Sequence, residues 1–176
     1  AEFQKQEHPQ YAFNKAIIHA THEYVCAYKV NTAFYEARGA DGITDLQLTC
    51  AYIKQQYPNV FLIVDAKRAD IGNTNNGYVE FVFDYLGADA VTLHPYLGSE
   101  ALEPFLSRRD KASIILCRTS NPGAGEFQDL CINGEKLYLR IARAVREEWN
   151  THGNCMLVVG GTYPEELACV RRIVGD

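Results

Sequence analysis

Phe61-Leu-Ile-Val-Asp65-Ala-Lys67-Arg-Ala-Asp70-Ile71-Gly72-Asn73-Thr74 opens with four consecutive apolar residues, two of them β-branched. Such a run suits a strand buried on both faces. Asp65, Lys67 and Asp70 follow with no turn signal between. Strand side chains alternate, so Asp65 and Lys67 are expected on one face. Charges at the end of a buried strand are costly unless paired or used. Gly72 and Asn73 break the strand, which puts Asp70 to Thr74 in the loop entering the next helix. Charged groups at the carboxyl end of a parallel strand are where α/β enzymes place their chemistry. This stretch is the candidate active site.

Working outward, strand-like and helix-like segments alternate. Helical patterns cover Phe13 to Tyr24, about Thr44 to Gln56, Asn75 to Leu86, Gly98 to Ser107, Gly134 to Trp149, and Pro164 to Val174. In the first, Phe13, Ile17 and Ala20 or Thr21 are expected on one helical face. Strands are read at Val25–Val30, Val60–Asp65, Asp89–His94, Ala112–Cys117 and Cys155–Gly160. The polar, Gly/Pro-rich run Arg118-Thr-Ser-Asn-Pro-Gly-Ala-Gly-Glu126 reads as a long functional loop. Alternation at this spacing predicts βα units and a parallel sheet, in one domain over 1–176.

Two architectures fit five such strands. An open doubly wound sheet predicts a Gly-rich fingerprint after an early strand, and none is present. A (βα)8 barrel of the TIM type predicts polar residues at several strand ends. Here the ends carry Lys29 and Asn31, Asp65 and Lys67, His94, Thr119 and Ser120, and Thr162. The barrel is therefore favoured. Its eight strands usually need about 200 to 250 residues, so the expectation is an incomplete stretch of the barrel.

Composition narrows the class. A hydrophobic fraction of 47% with 22% charge is that of a folded globular chain. The net charge of −5 argues against nucleic acid or an anionic membrane as general partners. No apolar run reaches the length of a membrane span, and the first residues have no signal-peptide core; a cytoplasmic protein is expected. Six cysteines at wide spacing, with no C-x-x-C pair, predict reduced thiols. Cys26, Cys117 and Cys155 sit within apolar strand-like runs and are expected to pack as small hydrophobes.

Lys29 and Asn31 repeat the two-residue spacing of Asp65 and Lys67. On neighbouring strands, Lys29, Asp65 and Lys67 would form an alternating line of charge. Asp65 would stay ionised and both lysines protonated. That array can hold a carboxylate against a substrate and present an acid to a developing carbanion. The competing reading is a structural ion pair closing a barrel end. His19 and His22 lack a third ligand and read as solvated, and His94 reads as structural at least as readily as pocket-lining. Gly160-Gly161-Thr162 is a weak signal, and Arg171 and Arg172 read as a solvated face.

Asp65-Ala-Lys67-Arg-Ala-Asp70-Ile71-Gly-Asn-Thr74 resembles the D-x-K-x-x-D-I-x-x-T signature of the orotidine 5′-phosphate decarboxylase family, in the wording of its longer bacterial branch. Tyr28-Lys29-Val30-Asn31 resembles the family's K-x-N strand, and Arg118-Thr-Ser-Asn-Pro122 its pyrimidine-contacting loop. The resemblance spans nearly the whole chain, as barrel strands two to six. It implies decarboxylation of orotidine 5′-phosphate to uridine 5′-phosphate, the last step of de novo UMP synthesis, with no metal and no cofactor. Lys67 would protonate C6, Asp65 would face the departing carboxylate, and Lys29 would hold Asp65 and touch ribose. It implies a homodimer with shared sites, in which Asp70, Ile71 and Thr74 serve the partner and Asn31 helps orient the other chain's Asp70. Thr119 and Ser120 would hydrogen-bond the pyrimidine edge.

Two family features have no counterpart in this sequence. They are the first-strand aspartate and the late-strand phosphate grip, which again implies a partial barrel. Two other functions compete. One is a Mg²⁺-dependent sugar-phosphate decarboxylase or aldolase of the same superfamily, which carries an acidic ligand where this chain has Lys29. The other is a non-catalytic barrel fragment.

Overall fold

The structure is a computed structural model that describes residues 2–175. The order is α1 (Pro9–Thr21), β1 (Ala27–Asn31), α2 (Ala33–Glu36), α3 (Gly39–Gln56), β2 (Phe61–Arg68), α4 (Thr74–Val79), β3 (Ala90–Leu93) and α5 (Gly98–Leu106). Then follow β4 (Ala112–Arg118), α6 (Gly125–Gln128), β5 (Cys131–Ile132), β6 (Glu135–Lys136), α7 (Leu137–Ala144), β7 (Cys155–Val159) and α8 (Pro164–Val174). The main sheet has the order β1-β2-β3-β4-β7, and β5 pairs with β6 separately. Chain-order strands joined through helices are the pattern of a (βα) barrel.

The chain divides into two compact units, with β2 and β3 each running from one into the other. The first comprises the residues up to Ala66 together with Asn76–Thr92. In it β1 and β2 are parallel, with Lys29 opposite Ile63 and Asn31 opposite Asp65. Its fully buried side chains include Leu46, Ile53, Leu62, Val64 and Val91. All four residues of β3 are buried, as expected of a strand without a solvent face. Asp89, just before β3, accepts from Lys54 Nζ on both oxygens at 2.8 Å and from the Leu62 amide at 2.8 Å. One carboxylate thereby fixes α3 and β2 at the amino end of β3.

The second unit comprises Lys67–Asn75 and the chain from Leu93 onward. Its β4 and β7 are parallel, with a register shift between Leu116 and Arg118. Cys117, Tyr138, Ala142 and Val170 form a buried cluster that Leu139, Ile141, Leu157 and Val159 pack against. Pro164 opens α8 and Glu165 and Glu166 lie in its first turn, where fixed φ and negative charge both favour a helix start.

One expectation is refined and three are corrected. Phe13 and Ile17 do share one face of α1; that face is half exposed and lines an open groove with Phe34, while Ile18 is the buried residue of the helix. Cys26 is exposed, because it precedes β1 rather than lying inside it. The helix read from Gly134 begins only at Leu137; Asn133 and Gly134, at φ 52° and 82°, form the turn of the β5–β6 hairpin. Finally, the helices after β2 and before β7 widen into π-helical turns, at Glu80–Tyr85 and Val145–Trp149.

Candidate active site

The first unit carries the acidic centre. Asp65 is buried, and both carboxylate oxygens are engaged. Oδ2 accepts from Lys29 Nζ at 3.0 Å and from Asn31 Nδ2 at 3.3 Å; Oδ1 accepts from the Thr92 hydroxyl at 2.8 Å. Register explains the set: Asn31 sits directly opposite Asp65, Lys29 is its diagonal neighbour, and Thr92 comes from β3. Lys29 keeps half of its side chain open, while the Asp65 side chain is 8% exposed. The ammonium can therefore meet both the carboxylate and an incoming ligand. Asn31 is held in turn, its Oδ1 accepting from the Ala33 amide at 3.1 Å. The expected Lys29–Asp65 pairing on adjacent strands is present.

The second unit carries the loop that holds Lys67, Asp70, Ile71 and Thr74. Lys67 has φ +48°, a left-handed value inside a strand. Only glycine takes that conformation freely, and another residue stores of order 1 kcal/mol there. The strand alternation thus ends at Lys67, and the simple argument that residues two apart share a face does not extend to it. Lys67 is exposed. The turn is fastened on both sides. The His94 backbone amide donates to Arg68 O at 3.1 Å, and His94 Nε2 lies 3.1 Å from Ala69 O. A carbonyl partner requires Nε2 to carry the proton. Asn75 is fully buried and brackets Asp70: Oδ1 accepts from the Asp70 amide at 2.8 Å and Nδ2 donates to Asp70 O and to Ala101 O. Asp70 Oδ1 accepts from the Ile71 amide at 2.7 Å. Ile71 and Thr74 are exposed on the same loop, and the Thr74 amide donates to Ile71 O.

Thr119 and Ser120 follow β4 in the same unit. Arg118, the last residue of β4, is buried and meets Glu166 through two bonds of 2.7 and 2.9 Å and Asp129 at 3.2 Å. Its guanidinium also lies 5.4 Å from the Tyr138 ring centre. The hydrogen bond and charge of Glu166 hold the Arg118 pKa above its ordinary value. Lys136, bonded to Asp129 at 3.0 Å, holds the Asp129 carboxyl below its own, with Arg118 contributing. Gln128 clamps Thr119: Oε1 accepts from its amide at 2.9 Å and Nε2 donates to its hydroxyl at 2.8 Å.

Sequence reading missed Thr92, Asn75 and Gln128. Among the described residues no group of three or more His, Cys, Asp or Glu could hold a metal ion. No helix among them is long and apolar enough to cross a membrane.

Known proteins resemble this chain over most of its length. The family model described as Orotidine 5′-phosphate decarboxylase / HUMPS family matches residues 8–175. The orotidine 5′-phosphate decarboxylase of Cellvibrio japonicus is 51% identical over 166 residues, 94% of this chain and 60% of that protein. That of Thermomicrobium roseum is 54% identical over 167 residues, covering 93% and 58%. The solved Leishmania donovani OMP decarboxylase superposes with a TM-score of 0.90 at 39% identity, over 94% of this chain and 65% of that one. The chain thus spans about 60% of the length of the curated relatives it matches. Strand order, the Asp65 centre and this breadth of identity lead to one conclusion: the chain belongs to the orotidine 5′-phosphate decarboxylase / HUMPS family.

Proposed function

We propose that residues 1–176 are a partial barrel domain of an enzyme that decarboxylates orotidine 5′-phosphate to uridine 5′-phosphate. The observation that carries this reading is the buried Asp65 carboxylate held by Lys29, Asn31 and Thr92 within the D-x-K-x-x-D motif. In the proposed step the C6–carboxylate bond breaks, carbon dioxide leaves, and the electron pair stays on C6. Lys67 Nζ then gives a proton to C6 and is reprotonated from solvent. The pair on C6 is not delocalised into the ring, so preorganised charge must supply much of the ~8–23 kcal/mol that enzymes contribute. Asp65 faces the substrate carboxylate; its position is fixed at both oxygens, so it does not relax when substrate enters. Lys29 contacts ribose while holding Asp65.

The proposal includes a homodimer, in which Asp70, Ile71 and Thr74 complete the partner's site. The 64% exposure of Ile71, a large aliphatic side chain, supports that placement. The setting is a cytoplasmic nucleotide pathway, without metal, cofactor, nucleic acid or membrane.

A Mg²⁺-dependent sugar-phosphate reaction is the second reading. Lys29 disfavours it, because its ammonium lies 3.0 Å from the oxygen of Asp65 that a cation would use. Loss of orotidylate absorbance tests both. The proposal expects turnover that survives chelator and is lost in Lys67→Ala. Turnover of a sugar phosphate that stops on chelation would replace it.

A further inference from the structure

An asparagine side chain carries two N–H donors and a carbonyl acceptor, so it can pair with backbone as another peptide group would. Asn75 does this to a single residue. Its Oδ1 accepts from the Asp70 amide at 2.8 Å, and its Nδ2 donates to Asp70 O. Nδ2 also donates to Ala101 O on α5, so the grip on Asp70 is tied to that helix. The side chain is wholly buried, and water does not compete for these bonds.

Holding both the N–H and the C=O of one residue fixes the peptide planes on either side of its Cα. The direction in which the Asp70 carboxylate leaves the backbone is fixed with them. The neighbouring turn is held by another residue: Arg68 O and Ala69 O are met by the amide and the ring of His94. Left-handed residues bound the segment, Lys67 at φ 48° and Gly72 at φ 46°. The Asn75 amide donates to Gly72 O at 3.3 Å, closing the loop behind Asp70. His94 thus braces the part of the turn next to Lys67, and Asn75 braces Asp70.

We propose that Asn75 is the positioning residue for Asp70, aiming its carboxylate out of its own subunit and tying that aim to α5. The inference rests on the decarboxylase reading above, in which Asp70 completes the site of the other subunit. It follows that Asn75 serves the partner's site and not the one containing its own Lys67. A residue with a merely structural role would impair both.

Mixed dimers, made by co-expression and assayed for orotidylate turnover, test this. The reference pair is Asp70→Ala with Lys67→Ala: each mixed dimer then holds one site with both residues intact, about a quarter of all sites in an equal mixture. Asn75→Ala by itself should lower kcat/KM about tenfold to a hundredfold, the cost of misplacing a group that meets the substrate. It should add little in the Asp70→Ala background. Mixed with Lys67→Ala, it should recover turnover to about a quarter of the parent's, as the reference pair does. Mixed with Asp70→Ala, it should recover none. Asn75→Ser keeps a hydroxyl for one of the bonds and should show the same pattern with a smaller loss; it carries the test if Asn75→Ala does not fold. Recovery with Asp70→Ala, or no recovery with Lys67→Ala while the reference pair recovers, overturns the assignment of Asn75 to Asp70. A reference pair that stays inactive overturns the shared-site reading, and this inference with it.

Discussion

The Thr92 hydroxyl donates to Oδ1 of Asp65 across 2.8 Å, on the side of the carboxylate away from Lys29 and Asn31. A buried carboxylate gripped at both oxygens has a fixed plane as well as a fixed charge. Thr92→Val keeps the shape and removes the donor. The expected cost is about 1.5–3 kcal/mol, as for other hydrogen bonds to a charged group. Turnover should fall about tenfold or more, and Thr92→Ser should recover most of it. Denaturant unfolding and steady-state kinetics check this. Unchanged values would mean that Lys29 and Asn31 suffice to orient Asp65.

Substitution of the charged residues should separate their roles. Asp65→Asn is expected to lower turnover about a thousandfold, at the upper end for a single preorganised group. Lys67→Ala should lower it by about 10²- to 10⁴-fold, the range for a general acid. Stopped assays on uridylate release provide the measurement, and a Lys67→Ala enzyme of normal rate would remove Lys67 from the mechanism.

The left-handed backbone at Lys67 makes a stability prediction that is independent of catalysis. At an ordinary strand position, Gly is less stable than Ala by about 0.5–1 kcal/mol. At φ +48° the order inverts, since alanine carries the left-handed penalty and glycine does not. Lys67→Gly should therefore be more stable than Lys67→Ala by about 1 kcal/mol. Thermal unfolding of the two variants decides the sign.

Burial pushes the Cys50 and Cys117 thiols up to about 12 and the Cys155 thiol up to about 11. Cys26 and Cys131 are exposed. A thiol reagent at mildly alkaline pH should modify Cys26 and Cys131 first and spare Cys50 and Cys117 until unfolding. The sign of the linkage follows: a pKa raised in the fold stabilises the native state below the unfolded value of about 8.5. That contribution declines as pH rises from there and is gone above the raised values. Mass-resolved labelling and alkaline unfolding report both effects. Early labelling of Cys117 would contradict its burial.

Glu166→Ala leaves the buried Arg118 guanidinium with Asp129 as its remaining carboxylate. Loss of one partner from a buried pair typically costs 3–5 kcal/mol; with Asp129 retained, about 2–3 kcal/mol is expected. Acid should then weaken the same network. The Asp129 pKa is held down, so its contribution is complete above the ordinary carboxylate range and lost as pH falls through the depressed value. Unfolding curves of Glu166→Ala at neutral and acid pH test the pair of statements. A variant as stable as the parent would place the anchor of β4 elsewhere.

The alternation of strands and helices, the charge cluster at Asp65 and its pairing with Lys29 were all legible in the sequence, because they depend on local pattern and two-residue spacing. Thr92 was not. A threonine inside Ala90-Val-Thr-Leu93 reads as a β-branched strand former, and its function emerges only when β3 brings it to Asp65. Gln128 was hidden for a similar reason, lying in one turn of helix within a Gly/Pro-rich loop. The β5–β6 hairpin did have a signal, Asn133-Gly134, but its strands of two residues each have too little apolar pattern to be seen beside it. The π-helical turns have no compositional mark at all.

Three partners of Asp65 lie 36, 34 and 27 residues from it along the chain, two before and one after. During synthesis Lys29 and Asn31 are already made when Asp65 appears, while Thr92 is still to come. At about 5–20 residues per second, the ribosome needs roughly one to five seconds to add it. Over that interval the Thr92 bond to Oδ1 cannot form. The three-partner grip on Asp65 is thus available only after β3 has been translated and has joined the sheet, which makes the third strand the timing step for this cluster.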